Sequence, residues 1–158
     1  MKIRSLVQKD RERLHAILIN GCFFTPEEIH TAMELIDIVL NNQAQKDYAI
    51  DCIVDDQDDA LGYICYGLSP MTQGTFDLYW IVVDSACQGK GIGSILLDFL
   101  EEALRGIEAR MILVDTSSIS SYEKTQRFYI KNGFEEVARI PDYYFPGNDR
   151  ITFCKKLR

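Results

Sequence analysis

A chain of 158 residues with 47% hydrophobic and 11% aromatic side chains is one domain's worth of sequence, long enough to hold a core without disulfide or metal staples. Seventeen Lys and Arg against twenty-four Asp and Glu leave 17 − 24 = −7, which argues against a concentrated basic face for nucleic acid, while 26% charged and 11% aromatic residues exclude a disordered acidic tail. The charge is uneven: residues 1–104 carry seven basic and seventeen acidic side chains (−10), and residues 105–158 carry ten and seven (+3).

In chain order, Ile3 to Leu6 reads as a short strand, and Asp10 opens a helical pattern through Leu14, Ile17 and Leu18. Asn20-Gly21-Cys22-Phe23-Phe24 is an apolar connection, suited to a core or a pocket wall. Thr25-Pro26-Glu27-Glu28 is a helix start, with an N-cap hydroxyl, proline at the first position and acids against the dipole. Ile29, Ala32, Met33, Ile36 and Leu40 then recur at helical spacing. Strands are expected at Tyr48 to Val54, Leu61 to Leu68 and Thr75 to Val83, separated by turn residues and forming an antiparallel meander. The pattern then changes to a glycine loop, a helix through Ile95, Leu96, Phe99, Leu100 and Leu104, and a strand at Met111 to Val114: one parallel crossover. A helix over about Ser121 to Lys131 stops at Asn132-Gly133, and strands near Phe134 to Ile140 and Arg150 to Lys156 finish the chain. No linker, repeat or low-complexity tract divides it, so residues 1–158 are expected to form a single domain.

Cys22, Cys52, Cys65, Cys87 and Cys154 are odd in number and none stands in a Cys-x-x-Cys spacing, so neither a disulfide framework nor a zinc finger is indicated, and no metal site is expected. Cys87 borders the glycine loop, but His15 and His30 are both remote from it in sequence. The opening Met-Lys-Ile-Arg-Ser-Leu is not an apolar leader, and no apolar run approaches the roughly 18 residues of a membrane span. A reducing cytoplasm is the expected compartment.

Gln88-Gly89-Lys90-Gly91-Ile92-Gly93-Ser94 sits between an apolar strand and a helix. Glycines let a ligand reach the backbone, and the first helical turn offers unpaired N–H groups at the positive end of the dipole, which together suit a phosphate or pyrophosphate. Lys90 adds a charge and Ser94 a hydroxyl. A P-loop is excluded by spacing. A dinucleotide fold needs several parallel crossovers where this chain has one, and a third glycine where it has Ser94.

With Trp80-Ile81-Val82-Val83-Asp84 before it, this loop resembles the Gln/Arg-x-x-Gly-x-Gly/Ala pyrophosphate loop of the GNAT superfamily of acetyl-CoA-dependent N-acetyltransferases. Arg127-Phe128-Tyr129-Ile130-Lys131-Asn132-Gly133-Phe134 is similar to that family's Phe-Tyr-x-x-x-Gly-Phe signature. The resemblance covers nearly the whole chain. It implies an α/β fold of mixed α+β character, built on a mixed, mostly antiparallel sheet of about six to seven strands with about four helices.

The resemblance further implies that the backbone of Ile81, Val82 and Val83 pairs with the pantetheine arm of acetyl-CoA, the cosubstrate, and polarises its thioester carbonyl. Gln88, Gly89, Lys90, Gly91, Ile92, Gly93 and Ser94 would hold the pyrophosphate, and Tyr129 would protonate the departing thiolate. For the base, Asp115 lies near the place where some relatives carry a glutamate, and Asp77 is a second candidate. Tyr122 stands where the family often has a cofactor-binding Asn. The implied reaction moves an acetyl group to a primary amine of a small molecule or peptide. The walls expected for that acceptor are Asn20 to Phe24 and a loop Asp142-Tyr143-Tyr144-Phe145-Pro146-Gly147, whose aromatics and acid suit a cationic amine. The alternative is a non-catalytic acyl-CoA sensor or interaction module of the same fold. No nucleic-acid or membrane partner is expected. A homodimer is compatible with the fold, and no residue decides it.

Overall fold

The computed structural model describes residues 1–21 and 24–158. Among these lie β1 (Lys2–Ser5), α1 (Asp10–Asn20), α2 (Pro26–Asn41), β2 (Ala49–Val54), β3 (Ala60–Leu68), β4 (Thr75–Val83), α3 (Ile92–Gly106), β5 (Met111–Ser117), α4 (Glu123–Lys131), β6 (Glu135–Phe145) and β7 (Asn148–Lys156). The strand order is β1-β2-β3-β4-β5-β7-β6. β4 and β5 run parallel, while β1 with β2, β2 with β3, β5 with β7 and β6 with β7 run antiparallel. This is the mixed, mostly antiparallel sheet that the resemblance implied.

Three departures from the expected boundaries bear on the site. β5 continues to Ser117, because Asp115, Thr116 and Ser117 pair in register with Thr152, Ile151 and Arg150, so Asp115 is a mid-strand residue and not a strand end. β6 continues to Phe145, which places Asp142, Tyr143, Tyr144 and Phe145 on a strand instead of in a loop. Aromatic side chains favour a pleated surface, and the irregularity is absorbed at Asp142, whose φ is 53°. Its Oδ1 accepts from the Gly147 N–H at 2.7 Å and its own N–H donates to Asp149 at 3.1 Å. α4 begins at Glu123 because Ser120–Tyr122 tighten into a 3-10 turn ahead of it.

The chain resolves into two compact units. The first comprises Met1–Gly67 and Trp80–Leu100. Its core joins Leu14, Ile17 and Leu18 of α1, Ala32, Met33 and Ile36 of α2, Ile50, Cys52 and Val54 of β2, Tyr63 and Cys65 of β3, and Val82 of β4. α2 starts at a complete capping box: Glu28 N–H donates to the Thr25 hydroxyl and Thr25 N–H donates to the Glu28 carboxylate. Gly62 of β3 lies so close to β4 that a Cβ there would sit 2.5 Å from the Val82 carbonyl oxygen. Only glycine permits that approach.

The second unit comprises Leu68–Tyr79 and Glu101–Arg158. Thr75, Phe76 and Asp77 pair in parallel with Met111, Ile112 and Leu113. Tyr129 of α4 packs on Phe134 and on Phe153 of β7, at ring separations of 5.4 and 6.1 Å. The Lys155 ammonium donates to the buried Glu101 carboxylate and, at 2.7 Å, to the Asn132 carbonyl at the end of α4. β6 is the outermost strand, pairs with β7, and is exposed along its whole length.

Candidate functional site

The glycine loop belongs to the first unit. β4 ends at Val83, and Asp84 then caps a 3-10 turn, Ser85–Cys87, by accepting the Ala86 N–H at 3.0 Å. The turn hands on to Gln88, Gly89, Lys90 and Gly91, all exposed, while Ile92 is buried and anchors the first residue of α3. Gly89 and Gly91 have φ of +76° and +80°, the left-handed region, and a Cβ on either would meet nothing within 4 Å. The loop therefore turns through two conformations costly for other residues while leaving open space against its backbone.

α3 begins at Ile92, so the N–H groups of Ile92, Gly93 and Ser94 lie in the first turn, where helical geometry supplies no acceptor. With the dipole, such groups carry partial positive charge of the kind that attracts an oxyanion. Lys90 is exposed and its ammonium rests on the Ala86 carbonyl at 3.3 Å, a weak tether that leaves it able to swing to a ligand. Gln88 Nε2 reaches the Val83 carbonyl at 3.4 Å. Trp80 to Val83 have β3 as their ladder neighbour within this unit. Phe24, from the connection expected to wall the acceptor, meets the Trp80 ring edge-on at 5.4 Å. Cys22 and Phe23 of the same connection lie outside the described residues.

The second unit carries Tyr129, Asp115 and Asp77. Tyr129 is only 4% exposed, its ring enclosed by Phe128, Phe134 and Phe153. Burial pushes its phenol well above the ordinary value. It is thus a neutral donor at every physiological pH. No hydrogen bond to that hydroxyl occurs among the described residues, whereas the less buried Tyr66 hydroxyl donates to Asp51 at 2.9 Å.

Asp115 is 42% exposed and both of its oxygens are engaged: Oδ1 accepts from the Thr152 hydroxyl at 2.6 Å and Oδ2 from Arg150 at 2.9 Å. Asp77 accepts the Ser69 hydroxyl on Oδ2 at 2.5 Å, and its Oδ1 accepts nothing among the described residues. Tyr143 and Tyr144 stand edge to face at 5.0 Å, and the Arg150 guanidinium covers the Tyr143 ring at 5.2 Å. The aromatic face that the sequence offered to a cationic acceptor is therefore already held by a cation of the protein. Tyr122 closes the 3-10 turn before α4.

Sequence reasoning did not assign Arg13, whose guanidinium joins Asp84 from α1, nor Ser69, Thr152 and Arg150 around the two carboxylates. The only local signal was the Asp84-x-Ala86 spacing of an aspartate cap.

Residues 49–136 match the model of the acetyltransferase (GNAT) domain. An uncharacterised N-acetyltransferase of Methanocaldococcus jannaschii is 32% identical over 96 residues, a match taking in 61% of this chain and 59% of that protein's own length. A crystal structure described as an acetyltransferase of the GNAT family from Desulfovibrio desulfuricans superposes with a TM-score of 0.94 at 35% identity, covering 99% of each chain. An aminoglycoside 6'-N-acetyltransferase complexed with coenzyme A has a TM-score of 0.75 at 19% identity, covering 100% of this chain and 98% of that one. That last likeness speaks to the fold alone.

Proposed function

Because the chain belongs to the GNAT family of acetyltransferases, we propose that it transfers an acetyl group from acetyl-CoA to a primary amine. The observation carrying this is the glycine loop: two left-handed glycines with open space against them lead into the first turn of α3, whose N–H groups have no intrahelical acceptor. That donor set fits a pyrophosphate, which needs several N–H groups around a compact double anion and no side chain in the way. Gln88 to Ser94 would hold it, Lys90 would neutralise part of its charge, and Ile81, Val82 and Val83 would offer backbone groups to the extended arm. When bound, acetyl-CoA supplies a thioester activated for attack by an amine.

This chain's own residues then manage the protons. As the new C–N bond forms and the C–S bond breaks, the thiolate needs one proton and the amine must lose one. Tyr129 is the donor in this reading, since its buried phenol stays protonated and meets no competing acceptor among the described residues. Asp115 is the acceptor expected from the family pattern, and its Oδ2 is paired with the Arg150 guanidinium. The open Oδ1 of Asp77 favours that carboxylate as a second reading of the base.

Titration calorimetry with acetyl-CoA tests the cofactor step: saturable binding is expected, and none at millimolar cofactor would sink the proposal. A panel of small amines and peptide N-termini, read out by release of free thiol, tests turnover. Cofactor binding without thiol release on any amine would favour a non-catalytic acyl-CoA sensor.

A further inference from the structure

Asp84 is the residue on which the glycine loop hangs, and it is held by a side chain from α1, remote in sequence but in direct contact. Its N–H donates to the Leu61 carbonyl at 2.8 Å, its carbonyl accepts the Cys87 N–H at 2.8 Å, and its Oδ1 caps Ala86 at 3.0 Å. Its remaining oxygen, Oδ2, is taken by Nη2 of Arg13, 71 residues earlier in the chain on α1. The same guanidinium donates from Nε to the Ala60 carbonyl at 3.0 Å. One planar fork thus spans an anionic acceptor on β4's end and a backbone acceptor on β3, a task a lysine's single ammonium performs poorly.

The capped turn in its turn carries the loop, since Gln88 N–H donates to the Ser85 carbonyl at 3.5 Å and Lys90 rests on Ala86. A segment with two glycines has more conformational freedom to lose on binding than any other, so whatever orders it beforehand improves affinity. We propose that Arg13 is a positioning residue for the cofactor loop, fixing the Asp84 carboxylate so that the turn, and Gln88 to Gly91 beyond it, stand preformed before the ligand arrives. The inference rests on the reading that Gln88 to Ser94 hold the pyrophosphate. It adds that α1, which the family motif does not include, governs how tightly they hold it.

The test uses Arg13→Ala, Arg13→Lys, Asp84→Asn and the double variant Arg13→Ala/Asp84→Asn in the full chain. The measurements are coenzyme A affinity by calorimetry, the kcat and the KM for acetyl-CoA, and amide hydrogen exchange. Arg13→Ala is expected to weaken coenzyme A binding and raise KM by about tenfold, with kcat at saturating cofactor within about twofold of the parent. Exchange should quicken at 85–91 while β2 amides keep their protection. Arg13→Lys should recover part of the affinity, and the double variant should bind no worse than the worse single one, as expected of two groups in one contact.

Unchanged affinity with unchanged exchange at 85–91 would overturn the proposal. Loss of protection throughout β2 would make Arg13 a general structural residue, and strictly additive losses would break the route through Asp84; either overturns it too. If the parent protein binds no coenzyme A, the cofactor reading fails by itself, and the exchange measurement still decides whether Arg13 orders the loop.

Discussion

At the scale of single residues, Tyr129 separates two demands that usually conflict. Its ring is packed as core, and among the described residues its hydroxyl makes no hydrogen bond that would compete with a thiolate. Tyr129→Phe keeps the ring and removes the proton, so kcat should fall by about two orders of magnitude while acetyl-CoA affinity stays near the parent value; equal kcat in steady-state assays would remove the acid role. Gly89→Ala and Gly91→Ala each force a side chain into left-handed backbone. Each should cost about 1 kcal/mol in denaturant unfolding and weaken coenzyme A binding in calorimetry. These residues were legible in the sequence because each motif is contiguous and its chemistry is local. The partners of Asp115 were not, since Thr152 is 37 residues away. Arg13 was still less so, because nothing in the spacing of a helical arginine and a strand-end aspartate marks them as neighbours.

Among the elements, buried polar contacts rather than patterning decide the sharper features. Lys155 of β7 neutralises Glu101 of α3, which is 5% exposed. Lys155→Met should destabilise the protein by about 3 kcal/mol in denaturant unfolding, because it leaves a buried carboxylate paired with Arg105 alone among the described residues. Lys155→Met with Glu101→Gln should recover part of that loss. The meander, the crossover and both ends of β4 could be read from apolar alternation, from turn residues and from the change to helical spacing after Val83. The extent of β6 could not. Pro141 and Asp142 read as turn residues, while the continuation to Phe145 is set by pairing across the hairpin, where Phe145 faces Asn148. The capping box at Thr25 marked the start of α2, whereas the 3-10 turn before α4 carries no such side-chain cap.

For the whole molecule, buried neutral acids set the alkaline limit. Burial pushes the Cys52 and Cys65 thiols up to about 12, from an ordinary 9.0, and raises the Tyr63, Tyr66 and Tyr129 phenols above 10.0. Native pKa values above the unfolded ones mean that this stability is fully present below pH 9. It is lost as pH rises toward the native values, because the unfolded chain sheds protons that the folded one keeps. The urea midpoint should therefore be level from pH 7 to 8 and fall from about pH 9 upward, with a shallower fall in Cys65→Ala; a midpoint still level at pH 11 would contradict it. No helix among the described residues is long and apolar enough to cross a membrane. The chain's own limit in solution lies at the rim of its sheet. β6 presents Val137, Ile140, Tyr143, Tyr144 and Phe145 to water along an edge that a foreign strand could extend. Pro141, which has no N–H to give, and the charges of Glu135, Glu136 and Arg139 interrupt that edge. Pro141→Val should leave the thermal midpoint nearly unchanged yet shorten the time for which a concentrated solution stays clear by light scattering, so this one imino acid governs shelf life more than stability.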